Sequence, residues 1–534
     1  ATKNMLKNLD DIVYFKVYLD GDFPAGFKRL SKETQEMLEE FRAYSNNIEY
    51  EFINPSKSTD KATRNSIYQQ LVRKGLTPTD LHVTKKGGKS QQIIFPGAIV
   101  TYKSRELPLT LLNSQLGQSP EIVLNNSIQD LEYNISNVIK KLSVENKPKL
   151  AFITGHGEAD EHQTADITNA LEEYYSVERI DINGQINALT KREKNKNDTS
   201  KIMIYNKYKA IIIAKPDSAF SEKDKFIIDQ YVMRGGKILW LVDPVYTSMD
   251  SLQTNNFTYG IINDLNLEDM FFDYGIRLNY NLIMDLNALP IPVVTGNIGN
   301  NKQIDFLPWY FFPIITPDLN HIIVNNLNLI KTEFISSIDT IGVKNIKKTI
   351  LLRTSNKSRT IGTPAMISLD ILRKQPNERL YNKPPQNVAV LLEGNFRSLY
   401  KDRIPPKIVN SKEIGFKAKS DFNKMIIVSD GDIIINQMQF SNGKLYPLPL
   451  GYDKYTKQTF GNKEFILNSI NYLCDESGII SVRSKKIKLR LLDKVKINKN
   501  RSLWQALNVL LPVILILIFG FIQNFIRKRK YLKR

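Results

Sequence analysis

Twenty-five consecutive residues near the C-terminus, Ser502 to Ile526, carry no charge. At about 1.5 Å of rise per helical residue, their apolar centre can cross a bilayer core of roughly 30 Å. About 500 soluble-looking residues precede this stretch. Trp504 at one end and Arg527, Lys528, Arg529 and Lys530 at the other are the aromatic and basic anchors expected at two membrane interfaces. Pro512 is tolerable inside such a helix, because neighbouring groups compensate the lost backbone bond. A buried helix of a large soluble domain is the bland alternative, but such helices rarely run so long without a charge.

The same region explains the charge. The chain is formally +19, yet Arg483 to Arg534 holds fifteen Lys and Arg against one acid, Asp493. These basic residues crowd the anchor, where anionic lipid attracts each by about 1 kcal/mol, and do not stripe a folded face as a nucleic-acid protein would. Nucleic acid is therefore not expected as a partner. Orientation is less legible: nine basic residues lie on the N-terminal flank and six in the tail, so the positive-inside count does not place the tail in the cytoplasm. The sequence opens at Ala1, and an N-terminal transmembrane segment is expected to precede it. The single cysteine, Cys474, excludes an intramolecular disulfide.

An α/β class follows from the apolar periodicity. Ile12 to Leu19 and Ile48 to Ile53 read as strands, with an amphipathic helix, Phe27 to Ser45, between them. A helix over Thr63 to Lys74, a strand at Leu81 to Thr84, a turn at Gly87-Gly88 and a strand over Gln92 to Tyr102, interrupted by Pro96-Gly97, complete a β-α-β-α-β-β order. That order resembles a thioredoxin-like domain over residues 1–105. The loop that carries the redox cysteines of such domains reads Asp20-Gly21-Asp22-Phe23-Pro24-Ala25-Gly26 here, and thiol chemistry needs a thiol. The domain is read as a scaffold or docking module.

Residues 106–146 form a connector, with a helix at Asn125 to Leu142. Residues 147–475 then alternate strands and helices: strands at Lys149 to Thr154, Ser176 to Ile182, Ala210 to Ala214 and Lys237 to Val242, helices at Thr164 to Tyr175 and Ser221 to Arg234. Near-continuous apolar strands of this kind belong to a parallel sheet covered on both faces, with ligand loops at the C-terminal strand edge. An insertion over about 246–420 contains the aromatic run Phe306 to Pro313, either core of a subdomain, the favoured reading, or a partner-binding patch. Strands at Lys348 to Arg353, Asn387 to Leu392 and Lys424 to Val428 are expected to rejoin the sheet. Gln375 to Gln386 reads as an exposed loop, 476–501 as a basic linker, 502–526 as the transmembrane helix and 527–534 as a basic tail.

The runs KPKLAFITGHGEAD (147–160), AIIIAKPDSAFSEKDKFIIDQYVMRGGKILWLVDP (210–244), NKMIIVSDGDIIINQ (423–437) and FGNKEFILNSINYL (460–473), together with the C-terminal anchor, resemble the GldG family. These are gliding-motility-associated ABC transporter components of Bacteroidetes. The resemblance implies an inner-membrane protein with a large periplasmic part, a further N-terminal transmembrane helix, and partnership with a GldF-like permease and a GldA-like ATPase. It also implies a middle domain similar to one in intraflagellar-transport proteins and related to flavodoxin-like and glutamine-amidotransferase-like folds.

Amide transfer needs a Cys nucleophile on a sharp strand-to-helix turn with a His in reach. The corresponding turn is Lys215-Pro216-Asp217-Ser218, without Cys, and Ser218 lacks a flanking G-x-S-x-G elbow. No enzyme activity and no cofactor are expected. The segment His156-Gly-Glu158-Ala-Asp160-Glu161-His162 has ligand-type side chains in neither HExxH nor finger spacing, so no metal is expected. The chain also lacks a GxxxxGK[ST] phosphate loop, so energy must come from another subunit.

Asp217, Asp243, Asp430 and Asp432 each follow an apolar strand. They could converge with His156 and Glu158 into a small acidic pocket for a cation, sugar or amine, or they could simply cap helices and turns. Two functions stay open. One is a non-catalytic accessory subunit binding a permease and envelope partners; the other is a membrane-tethered solute- or glycan-binding component.

Overall fold

The apolar runs at 150–153, 211–213, 238–242 and 425–428 are satisfied only between two covering layers, and a computed structural model places them there. The structure describes residues 2–85, 88–194, 202–299, 301–317, 321–441, 443–475, 478, 480, 483 and 501–531. Residues 1–485 form one compact unit and 486–534 another.

A short helix α1 (Thr2–Lys7) precedes the N-terminal module. That module comprises β1 (Val13–Val17), α2 (Ala25–Tyr44), β2 (Ile48–Phe52), α3 (Lys61–Arg73), β3 (Thr79–Lys85), β4 (Gly88–Ile94), β5 (Gly97–Tyr102) and β6 (Arg105–Thr110). Its sheet runs β2-β1-β5-β6, with β1 parallel to β2 and antiparallel to β5. Val13, Phe15 and Val17 alternate inward along β1 and meet Leu30, Leu38 and Phe41 of α2. The strand expected at Leu81 to Thr84 is real, but it belongs to a separate β3-β4 hairpin. The strand expected over Gln92 to Tyr102 divides at Phe95-Pro96, and β6 supplies the outer strand.

The helix expected over Asn125 to Leu142 is two helices, α4 (Pro120–Gln129) and α5 (Leu131–Ser143). Ser119 caps α4 and Pro120 occupies its first turn, where a missing N–H costs nothing. The break falls at buried Asp130, whose carboxylate accepts from Asn326 Nδ2 at 3.1 Å. Ile135, Val138, Ile139 and Leu142 of α5 pack into the N-terminal core, so this connector is also that core's second layer.

The α/β domain carries β7 (Lys149–Thr154), α6 (Ala165–Glu172), β8 (Ser176–Asp181), a two-stranded ladder of β9 (Thr190–Lys194) and β10 (Ile202–Asn206), β11 (Ala210–Ala214), α7 (Glu222–Met233) and β12 (Lys237–Leu241). Strands Ile346–Arg353, Asn387–Arg397 and Lys419–Val428 rejoin this sheet, as expected. From one edge, the seven strands run Ile346–Arg353, Asn387–Arg397, Lys419–Val428, β12, β11, β7, β8. The five strands from Lys419–Val428 to β8 are parallel. Asn387–Arg397 is antiparallel to both of its neighbours, which corrects the all-parallel reading. The connection between it and Lys419 carries one short helix, Pro406–Val409, and no long crossover helix of the kind that joins the parallel strands.

Alternate residues of each strand enter opposite layers. Leu150, Phe152, Ile212, Leu239 and Ile426 face α6 and the helix Asn462–Cys474. Ala151, Ile153, Ile211, Ile213, Trp240 and Ile427 face α7 and the helix Glu268–Tyr274. In the insertion, Trp309, Tyr310, Phe311 and Phe312 are buried, as the core reading expects. Phe306 is 53% exposed, because it pairs with Pro292 further out along the hairpin of Ala288–Ile298 and Asn301–Ile315. Gln375 to Gln386 lies at the surface apart from buried Tyr381.

The described residues of the C-terminal unit form one helix, Arg501–Tyr531, of 31 residues with Pro512 inside it. Its Arg501–Lys530 stretch is long and apolar enough to cross a membrane, and none of it is buried. The linker expected at 476–501 lies outside the described residues except at 478, 480, 483 and 501. Gly87 and the last three residues lie outside them too.

Candidate functional site at the strand edge

Parallel strands end at the same edge, so the residues that follow β7, β11, β12 and Lys419–Val428 emerge side by side. Three of the candidates meet there: carboxylate oxygens of Asp243, Asp430 and Asp432 lie within 4.8 Å of one another. Lys215, the first residue after β11, holds a left-handed backbone conformation (φ 54°). Its ammonium contacts Asp432 and lies 3.5 Å from Asp243 Oδ2. The insertion contributes Glu333, whose N–H donates to Asp430 Oδ2 at 3.4 Å and whose carboxylate lies 3.6 Å from Lys331 Nζ. The N–H groups of Gly431 and Asp432 donate to Asp243 and Asp430.

Four carboxylates thus share two ammonium groups. Burial pushes the Asp243 carboxyl up to about 6 against the pull of Lys215. Burial drives Asp430 well above the usual carboxylate range, with Asp432 and Asp243 adding to it, and raises Glu333. Burial opposes charge on Lys215 too, but Asp432 and Asp243 outweigh it and hold the ammonium above its ordinary value. Three carboxylates at this spacing are a donor set for a hard cation, and Lys215 already takes up two of them.

Asp217 stands beside this cluster. With Gly157, Lys215, Asp243 and Asp432 it lines a cavity of about 250 Å³. Gly157 sits at φ 71°, and a Cβ there would lie 1.6 Å from Asp217 Oδ1, so this close approach requires glycine.

His156 and Glu158 do not join the acids. The His156 ring stacks on Phe220 at 3.8 Å between centroids. Its Nδ1 lies 3.2 Å from Glu158 Oε1 and its Nε2 3.3 Å from Asp224 Oδ2. Asp224 is fixed in the first turn of α7 by the Ser221 hydroxyl and by Gly184 N–H. The loop's ring and carboxylate therefore tie β7 to α7. Ser218 Oγ donates to Asp217 Oδ1 at 2.7 Å while both ring nitrogens of His156 are engaged elsewhere, so the turn after β11 forms no nucleophile-base pair with that histidine.

Sequence reasoning missed Lys215, Glu333, Lys331, Phe220 and Asp224. Lys215 occupies the same post-strand position as the acids, and Ser221-x-x-Asp224 is a readable helix start. Nothing local marks Glu333, which reaches the edge through the insertion.

Burial lowers the pKa of His156, but Glu158 and Asp224 outweigh it and the net shift is upward. A raised folded pKa stabilises fully below the unfolded value of about 6.5 and loses that contribution as pH rises through the folded value. Wild type is therefore expected to exceed His156→Gln in stability by about 1–2 kcal/mol at pH 5.5, with the gap shrinking above neutrality. Urea unfolding at the two pH values measures it; a gap independent of pH would leave only the stacking role.

Residues 147–469 match the family described as an ABC-type uncharacterized transport system. The chain belongs to this family. It is thus an accessory component of an ABC transport system, and the matched region contains the whole seven-stranded sheet and every residue of the strand-edge cluster. Residues 1–101 match a second family, a domain of unknown function. An uncharacterized protein of Borreliella burgdorferi is 22% identical over 556 residues, covering 99% of this chain and 91% of the relative. Among solved structures, the mmIFT52 N-terminal domain aligns with a TM-score of 0.33 and 11% identity, over 62% of this chain and 98% of that one.

Proposed function

We propose that this accessory component is a non-catalytic subunit held in the inner membrane by Arg501–Tyr531, with most of its chain on the periplasmic side. Its partners are a GldF-like permease and a GldA-like ATPase, and it couples ATP-driven movement to envelope partners in gliding motility or a related process. The thioredoxin-like and the flavodoxin- or amidotransferase-like modules serve as scaffolds. The observation that carries this reading is the partial neutralisation at the strand edge: of the acids where an α/β enzyme would place its chemistry, Asp243 and Asp432 are tied to Lys215, and Glu333 beside them to Lys331. Affinity purification of the full-length protein from its native membrane is expected to bring down a polytopic permease and an ATPase in fixed ratio. Recovery of the protein without them would overturn the partner assignment.

The surplus of negative charge and the adjoining cavity favour a second reading, a tethered component that delivers a solute or glycan to the permease. Alanine at Asp243 and Asp430 separates the two. Lost ligand binding with the complex intact supports the second; an intact complex with unaltered transport or motility supports the first.

A further inference from the structure

A larger cavity, about 680 Å³, opens where the N-terminal module meets the α/β domain, within the range of small-molecule sites. Its two sides are held together directly. Gln115 Nε2 donates to Asn326 O at 2.8 Å, and Leu116 N–H donates to Asn328 Oδ1 at 2.8 Å. The cleft is therefore preformed.

Its lining is mostly amide and hydroxyl. Asn134 and Asn137 of α5 face Asn468 and Asn471 of the Asn462–Cys474 helix across it, and its charged residues are Lys457, Glu464 and Arg483, one positive charge in excess. Arg483 is only 8% exposed. Its guanidinium lies over the Tyr133 ring at 5.1 Å, and Nη2 donates to Asn325 O at 2.8 Å. Nε is buried and has no hydrogen-bond partner among the described residues. A charged donor left unpaired in a protein interior is costly, and a further acceptor for this guanidinium would relieve that cost. The neighbouring carboxylate, Asp130, accepts from Asn326 and Asn113 and makes no ion pair with Arg483 among the described residues. Burial raises the pKa of Asp130, which weakens the charge that would balance the guanidinium.

We propose that this cleft binds a small soluble solute that carries one carboxylate or phosphate group on an otherwise neutral, hydrogen-bonding body, with the oxyanion held by Arg483. A guanidinium presents five donors in a planar fork suited to an oxyanion. Amide side chains both donate and accept, and so suit groups such as hydroxyls that do the same. None of the strand-edge acids lines this cleft, and the site does not depend on the identity of the transporter partners.

The test uses the full-length protein in detergent and three probes that share one neutral body: glucose 6-phosphate, glucuronate and glucose, followed by calorimetry. At least one of the two anionic probes is expected to bind, and glucose to bind at least tenfold more weakly. Arg483→Gln should weaken the anionic probe at least tenfold. Because Arg483 also packs on Tyr133, a second variant, Asn134→Phe, fills the cleft without touching the guanidinium; it should abolish binding while unfolding as cooperatively as wild type. Binding of neither anionic probe, equal binding of glucose, or binding unchanged in both variants would overturn the proposal.

Discussion

In a protein of residues 1–534, without the transmembrane segment expected ahead of Ala1, aspartate at both Leu515 and Ile518 is expected to strip the protein from membranes. Both residues sit near the middle of the Arg501–Tyr531 helix and are exposed along with the rest of it. On an insertion scale a central Leu or Ile contributes about −0.5 kcal/mol and a central Asp about +3, so the double change moves the segment by roughly 7 kcal/mol. That is enough to reverse an insertion equilibrium by many orders of magnitude. Alkaline carbonate extraction of membranes should leave wild type in the pellet and release the variant. Residues 1–485 form a compact unit with their own cores, so the released protein should keep its circular dichroism and a cooperative melt. A double variant that still resists extraction would show that some other part of the protein holds the membrane. Moving the same two aspartates to Ser502 and Gln505 is the control. At the interface their cost falls away, and extraction should be unchanged.

The five inner strands of the main sheet were legible because each presents four or five consecutive apolar residues, a pattern that only a doubly covered sheet accommodates. The convergence of Asp243, Asp430 and Asp432 was legible for a related reason: each follows such a strand within a few residues, and parallel strands share an edge. His156 and Glu158 satisfied the same rule by position and failed it by direction. Gly155 and Gly157, at φ 109° and 71°, reverse the chain locally, and Phe220 and Asp224 on the α7 side capture the ring. Direction within a loop depends on partners supplied from elsewhere, and α7 begins some sixty residues downstream. The antiparallel strand Asn387–Arg397 was hidden likewise: its residues read as a buried strand, while its polarity shows only in its pairing with Ile346–Arg353 and Lys419–Val428. The aromatic run from Trp309 to Phe312 was read as core, but only the hairpin register shows why Phe306, three residues earlier, is left outside.

Two substitutions at the strand edge are expected to act in opposite directions. Lys215→Met removes the ammonium that sits against Asp432 and Asp243, leaving their carboxylates facing each other with no cation between them. Breaking a buried pair in this way costs about 3–5 kcal/mol. Lys215 keeps 35% of its side chain exposed, so solvent screening trims the loss to about 2–3 kcal/mol at pH 7.5. Asp243→Asn should instead stabilise. Asparagine can still accept from Gly431 N–H, while Lys215 keeps Asp432 as its partner. The folded pKa of Asp243 is pushed up to about 6 from an ordinary 3.8, so the native state holds the extra proton between those values. Its contribution to stability is complete below the unfolded value and is lost as pH rises through the folded one. Above about pH 6.5 the wild type therefore carries an unfavourable charge that the asparagine variant lacks, a difference of about 1–3 kcal/mol that should vanish towards pH 4. Denaturant unfolding of the three proteins at pH 4.5 and 7.5 reads both effects. A destabilised Asp243→Asn at pH 7.5 would mean that the carboxylates are fully balanced by Lys215 and Lys331, and would remove the excess charge on which the cation-binding reading of this edge depends. A stabilised one would show that the chain carries a third acid at a cost in stability, which a purely structural turn has no reason to do.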